Sequence, residues 1–277
     1  MTISKLTKFY VLVSFENKIK LNIRRYVMKR IKYIASLLAI VGIFSAQAAE
    51  VNSVNMVGFA KVNLGQGLNI IGAPFLTVGD TAIHINDLFD TSEFTAGMAP
   101  NDSDVITVWS GTGYDTYFLS AFAPPSWSET AWVNISGTAQ VDITLQPGNA
   151  VWLNRQAAAA DITFKGEVMA AASTDIALST GLNMISYPYS VDGKLADFDI
   201  SSATAGMAPN DSDVVTVWTG SGYDTYFLSA FAPPSWSETA WVNISGTAQV
   251  DVDLPIGKGV WYNAQAATTG ISADKPY

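Results

Sequence analysis

The residues of this chain that carry chemistry come in matched pairs. Pro124-Pro125-Ser126-Trp127-Ser128-Glu129-Thr130 recurs as Pro233 to Thr239, with Trp236 in the place of Trp127. A tryptophan held by two prolines on a loop is a platform for stacking a sugar ring or anchoring a protein partner. The alternative is a loop that folds back so that the ring plugs one end of its domain. Tyr114 and Tyr223 join Trp127 and Trp236 as ligand-binding candidates. The other tryptophans pair as Trp109/Trp218, Trp132/Trp241 and Trp152/Trp261. Trp109, Trp132 and Trp152 fall in strand patterns, where core packing is the simplest reading.

A second repeated group is Asn101-Asp102-Ser103-Asp104, which returns as Asn210 to Asp213. Oxygen ligands at alternate positions suit calcium, which takes six to eight oxygens. Asp102, Asp104, Asp211 and Asp213 are therefore calcium candidates, although full EF-hand spacing is absent. The competing reading is an Asx-turn that leads into a strand. Asp115, Glu129 and Asp142, with Asp224, Glu238 and Asp251, supply carboxylates. Glycoside hydrolysis needs two of these at a defined separation, and solvated charges are the simpler reading. The one histidine, His84, has no counterpart in the second repeat and reads as a surface or loop residue. No G-x-S-x-G elbow, phosphate-binding loop or dinucleotide fingerprint occurs, so no catalytic residue is singled out.

Composition narrows the classes further. The chain has 277 residues, 15 Lys and Arg, 24 Asp and Glu, and no cysteine. Disulfides, thiol nucleophiles and cysteine metal sites are excluded. A net charge of −9 and a pI near 4.5 argue against nucleic acid, which needs clustered lysine and arginine.

Residues 28–49 have the order of an export signal. Lys29, Arg30 and Lys32 form a basic region, Tyr33 to Phe44 is apolar, and Ala46-Gln47-Ala48 is a small-residue cleavage site. The mature chain is expected to begin near Ala49, with residues 1–27 upstream of a true start at Met28. Nine of the basic residues and one of the acidic residues precede Ala49, so the mature chain carries about −17. No later segment has the 18 apolar residues of a membrane-spanning helix. Without a cysteine at the cleavage point, a lipoprotein anchor is also excluded. The expected address is outside the cytoplasm: extracellular, cell surface or periplasm.

An internal repeat organises the sequence. Thr95 to Asp142 and Thr204 to Asp251 are identical at 45 of 48 positions. Gly67 to Phe75 matches Gly181 to Tyr189, and Gly148 to Asn154 matches Gly257 to Asn263. The offset falls from 114 to 109 between Leu76 and Phe94, which places five extra residues in the first repeat. The division into domains is therefore 1–48 signal region, 49–163 first copy and 164–277 second copy.

Each copy reads as β throughout. Strand patterns cover Val54 to Leu64, Leu68 to Ala73, Val105 to Trp109, Tyr114 to Leu119, Trp132 to Ile135 and Ala150 to Leu153. Alternation at Ala139, Val141, Ile143 and Leu145 predicts another half-buried strand. Asp161 to Phe164 closes the copy. Ile85 to Phe89 forms one or two helical turns, and Ala123 to Thr130 is a loop. The fold class is all-β, as two tandem copies of a β-sandwich or partly closed β-barrel.

Asn55-Met-Val-Gly-Phe59, Gly67-Leu-Asn-Ile-Ile71, Trp109-x-Gly-x-Gly-Tyr114, Gly148 to Trp152 and Phe164-Lys-Gly-Glu-Val168 resemble a group of exported, β-rich bacterial proteins. These belong to the planctomycete–verrucomicrobia–lentisphaera lineage. The resemblance implies export and β architecture, and it implies no activity or site residue. The expected function is a non-enzymatic structural or adhesion protein, secreted or at the cell surface. A carbohydrate-binding protein with two equivalent aromatic loop sites is the alternative, and an extracellular hydrolase the third reading. Expected partners are an extracellular polysaccharide, a surface protein or another copy of the chain.

Overall fold

Short runs of β-branched and aromatic residues, separated by glycine turns, form strands along nearly the whole of residues 56–277, the part that this computed structural model describes. The signal region, the cleavage point and the start at Met28 lie outside the described residues. The N-terminal half contains β1 (Val57–Leu64), β2 (Gly67–Gly72), β3 (Ile83–His84), a one-turn helix α1 (Ile85–Leu88), β4 (Val105–Trp109), β5 (Tyr114–Ala123), β6 (Glu129–Asn134), β7 (Thr144–Leu145), β8 (Ala150–Arg155) and β9 (Ala160–Glu167). The C-terminal half contains β10 (Ser173–Leu178), β11 (Gly181–Ser186), β12 (Gly193–Lys194), β13 (Phe198–Asp199), β14 (Val214–Trp218), β15 (Tyr223–Ser229), β16 (Ala240–Asn243), β17 (Asp253–Leu254), β18 (Gly259–Ala264) and β19 (Thr268–Asp274).

Each half is built on one five-stranded antiparallel sheet, in the order β2-β8-β4-β5-β6 and β11-β18-β14-β15-β16. Smaller sheets (β1-β9 and β3-β7, then β10-β19-β13 and β12-β17) complete the halves, and none of the sheets closes into a barrel. The registers correspond residue for residue. Gly67 pairs with Arg155 as Gly181 pairs with Ala264, and Thr107 with Trp152 as Thr216 with Trp261. Two separate apolar cores form, one around Leu64, Phe89, Trp132 and Phe164, the other around Tyr189, Trp241, Tyr262 and Ile271. A division between residues 163 and 164 falls inside β9, which pairs with β1 along its whole length.

Two sequence expectations are corrected by this topology. The strand expected over Ala139 to Leu145 shrinks to β7. Gln140 bridges Val133 of β6 and Thr144 pairs with His84 of β3, so the chain crosses from one sheet to another before either ladder can lengthen. His84 does have a counterpart. It pairs with Thr144 as Lys194 pairs with Asp253, so the two cations occupy equivalent places.

The halves meet through reciprocal contacts. The Gly72 amide donates to the Gly257 carbonyl at 3.1 Å, and the Ser186 amide to the Gly148 carbonyl at 2.8 Å. The Trp109 indole N–H donates to the Leu182 carbonyl at 2.6 Å, and that of Trp218 to the Leu68 carbonyl at 2.7 Å. Each bond contributes about 0.5–1.5 kcal/mol net. Between them lies a third apolar cluster of Ile70, Ala150, Trp152, Met184 and Trp261. The indoles form a ladder across the junction: Trp109 to Trp261 at 6.0 Å, Trp261 to Trp152 at 6.5 Å and Trp152 to Trp218 at 6.0 Å. The two outer pairs are edge-to-face and the middle one is tilted; aromatic pairs add about 0.5–1.5 kcal/mol beyond the area they bury. Trp132, Trp152 and Trp241 are buried as the strand pattern predicts, Trp152 within the junction cluster, whereas Trp109 is partly buried and packs against that cluster. Replacing Trp261 by Ala removes the middle of the ladder. It is expected to cost about 3–5 kcal/mol, read as a lower midpoint in urea unfolding.

Candidate functional site

The Pro-Pro-Ser-Trp loops leave the sheets at β6 and β16, the edge strands farthest from β2 and β11 in the strand order. Trp127 is 58% exposed and Trp236 59%, so neither ring plugs its domain. Each loop closes the same way. The Trp127 amide donates to the Ala123 carbonyl at 2.9 Å, and the Trp236 amide to the Ala232 carbonyl at 2.9 Å. That closure holds the two tryptophans at φ 54° and 55°. The left-handed region is strained for a bulky side chain, at about 1–3 kcal/mol, and such strain concentrates at functional positions.

Other large apolar side chains are exposed on the adjoining strand and loop. Phe122 and Met98 are exposed, as are Phe231 and Met207. Gly97 bridges Ser120 in parallel, and the Ala121 amide donates to the Gly97 carbonyl at 2.9 Å, which brings Met98 alongside the end of β5. Polar groups border the same loop. Ser126 Oγ and Gln140 Nε2 both donate to Glu129 Oε1, at 3.2 and 2.6 Å. Ser235, Gln249 and Glu238 repeat these distances. An aromatic face beside an amide and a carboxylate is a combination that can recognise sugar hydroxyls while stacking on a ring.

Tyr114 and Tyr223 do not join these loops. Tyr114 opens the ten-residue strand β5 and Ala123 ends it, a separation of about 30 Å at 3.3 Å per residue. The Tyr114 ring instead lies 4.8 Å from Trp109, and that of Tyr223 4.8 Å from Trp218. They extend the junction ladder at both ends.

The four aspartates are committed to main-chain donors. Asp102 Oδ1 accepts from the Ala99 amide at 2.8 Å, and Asp211 Oδ1 from the Ala208 amide at 2.8 Å. Asp104, fully buried, accepts from the Thr95 amide at 3.1 Å and the Gln156 amide at 2.6 Å. Burial pushes its carboxyl above the ordinary range, against the lowering effect of these two bonds. Asp213 accepts the equivalent bonds from Thr204 and Gln265, and also the Tyr262 hydroxyl at 2.8 Å. Leu153 stands in the place of Tyr262 in the N-terminal half. Thus the Asp-Ser-Asp turns lock their loops to the ends of β8 and β18. Among the described residues, no group of three or more Asp, Glu or His side chains is placed to hold a metal ion.

Asp142 and Asp251 belong to ion pairs. His84 Nδ1 lies 2.6 Å from Asp142 and its Nε2 3.3 Å from Asp80. In the other half Lys194 pairs with Asp251. Two clefts flank the junction. One, of about 440 Å³, is walled by Trp218, Asn69, Asp253 and Lys258; the other, of about 260 Å³, by Trp109, Asn183, Thr144 and Asn149. Burial lowers the affinity of Lys258 for its proton, and its ammonium donates to the Asn63 carbonyl. No sequence signal pointed to these clefts, because each is lined from both halves.

The hydrogen bonds to Asp142 and then Asp80 raise the His84 pKa above its ordinary 6.5. Its stabilising contribution is complete below about 6.5 and is lost as pH rises through the raised value. As the chain has one histidine, a single imidazole resonance should report a midpoint above 6.5, and His84→Lys should remove that step from the stability profile. At the loop, Trp127→Gly is expected to leave stability within about 1 kcal/mol of the parent in urea unfolding. Relief of the left-handed strain offsets the greater freedom of glycine in the unfolded chain. No known protein family, no curated protein and no solved structure matches this chain, so the reading of these surfaces rests on their own residues.

Proposed function

We propose that the chain is an exported, non-enzymatic protein of the cell surface, structural or adhesive, made of two copies of one β-sandwich-like domain. The observation that carries this reading is the twin outer loop. The same strained, exposed tryptophan, five residues after an exposed phenylalanine, is offered once at the far edge of each half. Exposed apolar patches of this kind mark contact surfaces. Two equal, weak contacts on one chain give avidity whenever both can engage. The strong negative charge of the chain favours neutral partners, such as an uncharged polysaccharide or surface protein, over anionic ones.

A second reading, carbohydrate binding at the two loops, is favoured by the Glu129–Gln140 pair beside Trp127 and its copy beside Trp236. Stacking supplies affinity for a pyranose face, and the amide and carboxylate supply direction to its hydroxyls.

The mature chain and its Trp127→Ala/Trp236→Ala variant separate the two. On the adhesive reading, the parent self-assembles or coats isolated cell envelopes by electron microscopy, and the variant does so at least tenfold less. Retention of a glycan on an array by the parent, lost in the variant, selects the carbohydrate reading. Envelope and glycan binding that are unchanged in the variant would overturn a role for the loops.

A further inference from the structure

The main-chain contacts of the junction are reciprocal, so they serve the pairing of unlike halves and of like halves equally well. The side chains on the junction do not. Gly72 faces Ser186, its own counterpart in the other half, and a Cβ on Gly72 would lie 2.0 Å from the Ser186 Cβ. Ala150 faces Gly259, again its counterpart, and a Cβ on Gly259 would lie 2.5 Å from the Ala150 Cβ. Each position therefore has room for one side chain, not two. The glycine is in the N-terminal half at the first position and in the C-terminal half at the second.

This opposition has a consequence for recognition. Two N-terminal halves brought together would collide at Ala150 and leave a gap at Gly72. Two C-terminal halves would collide at Ser186 and leave a gap at Gly259. Only unlike halves fill each position once. A third difference agrees. A Cβ on Gly259 would also lie 2.7 Å from Ile70 Cγ2, whereas Ala150 shares its cluster with the unbranched, adaptable Met184 at the position equivalent to Ile70.

We propose that Gly72 with Ser186 and Ala150 with Gly259 form a steric pairing code: each half accepts its unlike partner and rejects a second copy of itself. Neighbouring domains of near-identical sequence are prone to misassembly. The code counters this by building clashes into the wrong pairs, as specific interfaces do.

Three full-chain variants test it, and each introduces only residues already present at the equivalent position of the other half. Ser186→Gly/Gly259→Ala builds a like pair within one chain. It should melt roughly 2–12 °C below the parent, the range expected for overpacking in a domain of this size. Gly72→Ser alone should show a similar loss. The exchange Gly72→Ser/Ser186→Gly restores one side chain and one gap, and should recover at least half of that loss. Should Gly72→Ser fail to fold, folding of the exchange variant supports the code. Parent-like melting of the like-pair variant overturns it, as does an exchange variant no more stable than Gly72→Ser.

Discussion

The main constraint on this molecule is the dual burial of β2, β8, β11 and β18. Ile71, Val151 and Leu153 enter the N-terminal core, while their neighbours Ile70 and Trp152 point the other way into the junction. Ile185, Val260 and Tyr262 enter the second core, and Met184 and Trp261 meet the first half. A strand's side chains alternate between faces, so a one-residue slip in any of these strands would empty a core and the junction together. Both five-stranded sheets are thereby fixed in register, and everything attached to them is positioned at the same time.

The remaining devices act at the rim of those sheets. Asp104 and Asp213 tie their loops to the chain just after β8 and β18 through buried main-chain bonds. Those loops carry Met98 and Met207 to the ends of β5 and β15. The exposed loops thus depend on these carboxylates, and the carboxylates depend on strands held by the junction. The unequal settings of the two carboxylates show how a substitution elsewhere is absorbed. Asp213 gains the Tyr262 hydroxyl, while Asp104 faces Leu153 and has only its amide donors and the nearby charge of Arg155.

Much of the strand content was legible because alternation and glycine turns are local. Val105 to Trp109 is β4 at both ends, and Ala123 to Thr130 encloses the loop that exposes Trp127. The junction was harder to read. Alternation says that a face is buried, not what buries it, so the burial of Trp152 is legible in the sequence but the half that covers it is not. The usable signal was the lack of alternation in Ile70-Ile71 and in Ala150-Val-Trp-Leu153, since a continuous apolar run means a strand covered on both faces. Equally non-local were the pairing of His84 with Asp142, 58 residues away, and the crossing of residues 139–145 between two sheets. Exposure of Trp127 could not be read at all, because an apolar ring on a loop satisfies the same pattern whether it folds inward or outward.

The differences between the halves at the junction follow one physical logic. The block from Thr95 to Asp142 contains the aromatic loops and the Asp-Ser-Asp turns, and it is nearly invariant between the halves. Gly72/Ser186, Ala150/Gly259, Ile70/Met184 and Asn149/Lys258 differ, and all of these lie at the junction. Identity on the outside presents two equal surfaces. The halves differ where a residue meets its own counterpart too closely for two side chains, at Gly72/Ser186 and Ala150/Gly259, whereas Trp152 and Trp261, with ring centroids 6.5 Å apart, stay identical. Lys258 extends the same asymmetry to charge. Its ammonium reaches the Asn63 carbonyl of the first half, from a place where the other half has the neutral Asn149. One lysine thus bonds across the contact, whereas a pair of them on both sides would bring two partly buried cations into a small junction, at a cost that rises as water is excluded.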